Sequence, residues 1–238
     1  MAQVPVYLNI RSEYSEADSS RYRFSLTENI LIPSLKNQVA RGAVIFLQQS
    51  PMDPYFKRRE KAFRSVTDRL IPMHEKEGMD LPARVEATIG DDDFLGPEFV
   101  QRMRMGFVPE RGNVQMHMPH GYIFFEGALH PWRNKEDLFE ITQYGNPDSP
   151  IIRHEGFRIA DTPQWIYCRH QMNFNPISAS EVDAPEIKLA AWKGWQQNIV
   201  ARYCQTQVLT ATANGCTLHP TKSKSMMYAK GSARSRRK

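Results

Sequence analysis

ARVEATIGDDDFLGPEFVQRM, residues 83–103, runs an alternating apolar segment into three consecutive aspartates and then into a helix start. Val85, Ala87 and Ile89 fall on one face of a period-two pattern, which predicts a strand over 83–90. Gly96 at a cap and Pro97 at a first helical position predict a helix over 96–103. Between them stand Asp91, Asp92 and Asp93. Three like charges in a row repel one another, so either water solvates all three or something positive lies beside them.

Working outward, the same strand-then-helix reading recurs upstream. "VPVYLNI" (4–10) is β-rich and ends at Arg11, before the polar loop "SEYSEADSS". "SLTENILIPSLKNQVA" (25–40) has helical spacing at Leu26, Ile30 and Leu31, with Ser25 and Glu28 placed as a capping box and Pro33 predicting a kink. "GAVIFLQQS" (42–50) is a compact apolar strand, and "DPYFKRREKAFRSV" (53–66) a basic helix with Pro54 in its first turn. Such alternation predicts βαβ units and an α/β, doubly wound, mainly parallel sheet.

Beyond about residue 107 the character changes. "VQMHMP", "GYIFFEG", "LFEITQYG", "SPIIRHEGF" and "QWIYCRHQMN" are short, β-rich and separated by Gly, Pro and Asn, which predicts a mixed β second half. A C-terminal helix is expected over 185–211, with Trp192, Trp195, Ile199 and Tyr203 near one face. Residues 1–220 read as a single domain, with a division of labour between 1–106 and 107–220.

Charge and composition narrow the function classes. The net charge is +5, but the last eighteen residues carry Lys222, Lys224, Lys230, Arg234, Arg236, Arg237 and Lys238 without an acid. Subtracting those seven leaves residues 1–220 at −2. Residues 221–238 are therefore a basic, Ser/Gly/Ala-spaced tail that reads as flexible. It either solubilises the terminus or is attracted to nucleic acid or an anionic membrane surface. Three cysteines without CxxC spacing suggest neither a disulfide framework nor a thiolate zinc site. The N-terminus lacks the pattern of a secretory signal, and the apolar run "AVIFL" falls far short of the roughly 20 residues a membrane helix needs. A cytoplasmic protein with no transmembrane segment is expected.

In an open α/β sheet, ligands bind beyond the carboxyl ends of the strands. In an extended turn Asp91 and Asp93 can point to one side and share a hard divalent cation, which in turn accepts phosphate oxygens. The plainer reading is an exposed acidic turn near a helix start. No Walker-type loop and no G-x-G-x-x-G is present, so a phosphate-binding protein of this pattern relies on metal and basic side chains. Arg11, Arg58, Arg59 and Arg64 are the basic candidates.

Four segments, "VYLNIRSEY", "IGDDDFLGPEFVQRM", "PHGYIFFEGALH" and "PQWIYCRHQMNFN", together resemble the rhamnosyltransferase family of nucleotide-sugar glycosyltransferases with the GT-A fold. The resemblance spans roughly residues 4–178, and the aspartate segment is its most specific part. It implies that 1–106 is the nucleotide-sugar-binding half and 107–220 the acceptor half. It implies an Asp-x-Asp motif in which Asp91, Asp92 and Asp93 divide contacts to the donor and to Mn²⁺ or Mg²⁺, with Arg11 and Arg64 near the donor. A late histidine, His170 or alternatively His154, would be a further metal ligand, and Glu155 or Glu126 the catalytic base. Trp132 and Trp165 are aromatic candidates for stacking on a sugar or a base.

The activity so implied is transfer of a sugar from a nucleoside diphosphate-sugar to an acceptor hydroxyl. A glycan, a lipid-linked precursor and a hydroxylated modified DNA base all stand as acceptors. A metal-dependent phosphohydrolase and a non-catalytic nucleotide- or polyanion-binding protein on a decayed transferase fold are the competing classes.

Overall fold

The computed structural model describes residues 3–12, 17–125, 128–133, 140–146, 149–160 and 162–168. The chain opens with β1 (Val6–Ser12), α1 (Ala17–Leu26), a π-helical turn (Thr27–Leu31) and α2 (Ile32–Ala40). β2 (Ala43–Gln49), α3 (Phe56–Arg64), β3 (Leu70–Pro72) and a 3-10 turn (Met73–Gly78) follow. Next come β4 (Arg84–Gly90), β5 (Phe94–Leu95) and α4 (Phe99–Gly106). The second half is almost all strand: β6 (Asn113–His117), β7 (His120–Phe125), β8 (Ala128–Arg133), β9 (Glu140–Tyr144), β10 (Ile152–Arg158) and β11 (Trp165–Cys168).

A seven-stranded sheet in the order β10-β6-β9-β4-β1-β2-β3 forms the centre. β9 runs antiparallel to both its neighbours, and every other pairing is parallel. A smaller sheet, β5-β11-β7-β8, pairs the segment just after the aspartates with the late strand β11. The mixed α/β class and the change of character after residue 107 both follow the sequence pattern.

Period-two alternation decides where the core sits. Val6, Leu8 and Ile10 of β1, Ile45 and Leu47 of β2, and Val85, Ala87 and Ile89 of β4 all point to one face. There they meet Leu35 of α2, Phe63 of α3, and Phe99 and Met103 of α4 in one buried cluster. Among the described residues, α2, α3 and α4 contribute to a core on the same face. The opposite face bears Asn9, Glu86, Thr88 and Thr142 and only a small apolar cluster around Tyr7, Phe46 and Leu81. Polar side chains have little apolar area to hide, and among the described residues the 3-10 turn Met73–Gly78 packs against this face.

The first helix also departs from expectation. It starts at Ala17, inside the segment read as loop, and passes through Ser25 without a cap. Pro33 sits in the first turn of α2 and offers no N–H to the carbonyl four residues before it. The chain accommodates it by widening the preceding turn into a π-helix, where the Ile32 N–H donates to the Thr27 carbonyl. The predicted kink is thus a π-turn at Thr27–Leu31, and it turns Thr27 inward. The helix expected at Gly96 begins instead at Phe99. The expected helix over 185–211 and the basic tail lie outside the described residues.

Candidate functional site

β1 and β4 are parallel neighbours, with Arg11 opposite Gly90 at their carboxyl ends. From β1 the chain moves outward to β2 and β3, then returns to place β4 on the other side of β1. The β1/β4 boundary is therefore the point where strand order reverses, the usual ligand crevice of an open α/β sheet. Asp91–Asp93 begin there, immediately after β4.

The three aspartates are not an exposed acidic turn. Their relative exposures are 0%, 3% and 7%. Burying charge in this way requires counter-charge and hydrogen bonds, and both are present on the helical side. Arg23 of α1 spans two of the carboxylates, with Nη2 3.0 Å from Asp91 Oδ1 and Nη1 2.6 Å from Asp92 Oδ2. Arg59 of α3, fully buried, donates from Nη1 to Asp91 Oδ2 at 3.1 Å and from Nε to Asp53 Oδ2 at 2.9 Å. Ser12 Oγ, at the end of β1, donates to Asp91 Oδ2 at 2.7 Å. Thr27, turned inward by the π-turn, accepts from Arg59 at 3.0 Å and lies 3.2 Å from Asp91 Oδ2. Asp91 therefore has both oxygens engaged by its own chain.

Asp92 and Asp93 take a different course. A Cβ built on Gly90 would come within 2.8 Å of an oxygen of each, so both carboxylates fold back over the bare glycine. Asp91 and Asp92 are both tied to α1 through Arg23, and Asp92 and Asp93 reach back over the strand end. Asp53, Asp91 and Asp92 share two buried guanidiniums, Arg23 and Arg59. Carboxylate oxygens are the donors that Mg²⁺ and Mn²⁺ accept. The described residues contain no cluster of three or more His, Cys, Asp or Glu arranged to hold a metal unaided.

The other residues singled out in the sequence fall as follows. Arg11 is exposed at the end of β1, across from Gly90. Arg64 is exposed on α3 and pairs with Glu60 at 2.9 Å, one turn away. Arg58 lies over the Tyr55 ring. Trp165 is corrected as a stacking candidate: it is fully buried, with its indole N–H donating to the Met118 carbonyl at 2.8 Å. Glu126 and His170 lie outside the described residues, as do the side chains of His154, Glu155 and Trp132. Arg23 was missed by sequence reading. Its signal was the Arg23–Thr27 spacing, one helical turn, which puts both side chains on one face.

One strand further along the carboxyl edge is a pocket of about 430 Å³ between α3 and the 3-10 turn. Leu47, Pro51, Phe56, Leu70 and Met73 give it apolar walls. Gln49 also lines it, and its Nε2 is buried with no hydrogen-bond partner among the described residues. An apolar slot of this size fits a flat ring.

Among the described residues no helix is long and apolar enough to cross a membrane. Comparison with known protein families and with curated proteins finds no match to this chain.

Proposed function

We propose that the chain is a metal-dependent glycosyltransferase of the GT-A type, moving a sugar from a nucleoside diphosphate-sugar to an acceptor hydroxyl. The observation that carries this reading is the buried aspartate cluster at the strand-order reversal. The order β3-β2-β1-β4, with a switch point between β1 and β4, supports a nucleotide-binding first half. The apolar pocket beside Gln49 supports a seat for the donor's base.

In this reading Asp93 and Asp92 hold Mn²⁺ or Mg²⁺ with ligands from elsewhere, His170 among them, and Asp91 is a positioning residue. Arg23 and Arg59 hold Asp91 and keep the strand end rigid, so that little reorganisation is needed when the donor arrives. A bound cation supplies charge neutralisation for the departing diphosphate. Arg11, exposed at the end of β1, is proposed to meet diphosphate oxygens. Arg64, held by Glu60 at the rim of the apolar pocket, is placed near the base rather than the phosphates. Glu155 or Glu126 takes the proton of the acceptor hydroxyl as its oxygen bonds to the anomeric carbon and the nucleoside diphosphate leaves. The basic tail, 221–238, is proposed as an attachment to nucleic acid or an anionic membrane.

One observation favours the non-catalytic alternative: both oxygens of Asp91 are already engaged by Arg23, Arg59 and Ser12. A thermal-shift panel of UDP, GDP, dTDP and CDP, with and without Mn²⁺, decides between them. Stabilisation by one nucleotide that requires Mn²⁺ and is lost in Asp93→Asn is the expected result. If no nucleotide shifts the melting temperature under any metal condition, the transferase reading is wrong.

A further inference from the structure

The sheet face away from the helices holds a second cleft, of about 240 Å³. Its floor is a buried polar network centred on Glu86. That carboxylate accepts from Asn9 Nδ2 at 3.0 Å, from Arg84 Nε at 2.6 Å and from Lys76 of the 3-10 turn. Glu86 is thereby neutralised by its own neighbours, and Lys76 and Asn9 are fixed in place. Around this floor stand uncharged groups that both donate and accept, Thr88, Thr142 and Gln48. Arg11 and Glu140, opposite in sign and both exposed, mark the mouth.

Arg11 and Glu140 offset each other at the mouth, and Glu86 is held by both Lys76 and Arg84, which leaves the network with one positive charge in excess. A metal cation gains nothing from such a site, and a single surplus charge tied up in hydrogen bonds to Glu86, with Glu140 at the mouth, is a weak draw for a phosphate. Hydroxyls and a primary amide, by contrast, match a ligand whose own groups donate and accept in turn. Met73 and Tyr144 supply apolar flanks at the edge.

We propose that this cleft binds a neutral, hydroxyl-rich ligand, a carbohydrate. It is a separate subsite from the aspartate cluster, since Asp91, Arg23 and Arg59 lie on the helical side of the sheet. Its affinity for sugar does not depend on whether the chain transfers one.

Saturation-transfer NMR on the full chain, with the methyl glycosides of glucose, mannose and galactose as probes, tests it. Transfer to at least one glycoside is expected, weakened at least about tenfold in Thr88→Val/Gln48→Met, which removes two hydrogen-bonding partners. Glu140→Gln, an exposed change that leaves the buried network intact, is expected to weaken it as well. Asp93→Asn should leave transfer unchanged while removing the Mn²⁺-dependent nucleotide shift. Absence of transfer from all three glycosides overturns the proposal, as does transfer unaltered by both cleft variants. Displacement of the glycoside by inorganic diphosphate overturns it too, by making the cleft an anion site. A chain that binds glycosides but no nucleotide keeps this subsite and loses the transferase reading.

Discussion

Arg59 Nη1 lies 3.1 Å from Asp91 Oδ2, and neither side chain has any exposed surface. Such a pair gains little over an apolar pair of equal volume, but removing one partner strands the other's charge in the interior at a cost of about 3–5 kcal/mol. Arg59 also holds Asp53, which in turn accepts from the Tyr55 N–H at the start of α3. The guanidinium thus ties α3 to the end of β4. Arg59→Met should lower the unfolding free energy by about 3–5 kcal/mol in urea titration. Asp91→Asn should cost less, because an amide still accepts from Ser12. The double variant should lose less than the sum, the mark of direct coupling.

Asp93→Asn is expected to differ. It keeps the side chain's shape and an acceptor oxygen, so the protein without metal should lose less stability than Arg59→Met does. The Mn²⁺-dependent stabilisation should disappear. Parallel melts of Asp93→Asn and Arg59→Met, with and without Mn²⁺, separate a ligand-holding aspartate from a structural arginine.

The position of the aspartates at a strand end could be read from the sequence, and so could most of the strands, because "ARVEATI" and "GAVIFL" carry period and composition together. Their burial could not. Nothing local marks Arg23 or Arg59 as interior, since a basic residue in a basic helix reads as solvated until its long-range partner is known. Arg59 falls on the same face of α3 as Phe63, four residues on, and that spacing was the available clue. The polar second face of the sheet is legible in the alternation of Asn9, Glu86 and Thr88 with the apolar positions beside them. The start of α1 at Ala17 was missed because Ser-, Glu- and Asp-rich segments favour loops and caps by local hydrogen bonding, and tertiary anchoring through Arg23 overrides that preference.

Glu86 makes stability depend on acid. Burial alone pushes its carboxyl up, but hydrogen bonds from Lys76, Arg84 and Asn9, with the charge of Lys76, outweigh it and hold the pKa below the ordinary glutamate value. The folded pKa is the lower one, so the stabilisation is fully present above the unfolded value of about 4.3 and is lost as pH falls through the folded one. Wild type should be clearly more stable than Glu86→Gln at neutral pH, and that gap should close progressively below about pH 4.3. Urea midpoints of both proteins along a pH series give the answer, and a gap that stays constant into acid would contradict it.

Gly121 on β7 faces the buried Trp165 ring across the β7/β11 pairing. An added Cβ would stand 2.1 Å from Cδ2 and 2.3 Å from Cε2 and Cε3. A ring wedged in the core and tied to the Met118 carbonyl cannot swing aside, so Gly121→Ala should destabilise by about 1–3 kcal/mol or more. The reduction should show as a lower midpoint with unchanged cooperativity.

Gly90→Ala places the same single carbon against a different kind of obstacle. Its Cβ would meet Asp92 Oδ1 and Asp93 Oδ2 at 2.8 Å, the carboxylate ends of two buried side chains rather than a packed ring. A carboxylate can turn aside where an indole cannot, but turning Asp92 disturbs its buried ion pair with Arg23, so Gly90→Ala should also destabilise, by about 1–3 kcal/mol. The same rotation takes the carboxylates out of the position they hold over the strand end, and Asp92 out of reach of Arg23. Metal-dependent nucleotide stabilisation should therefore fall sharply in a protein whose fold is intact. Gly121→Ala, further from the cluster, should lose stability and keep that response at temperatures below its own unfolding. Measuring both responses in both variants tests whether Asp92 and Asp93 work from the place the bare glycine gives them. Unchanged Mn²⁺-dependent stabilisation in Gly90→Ala would show that they do not.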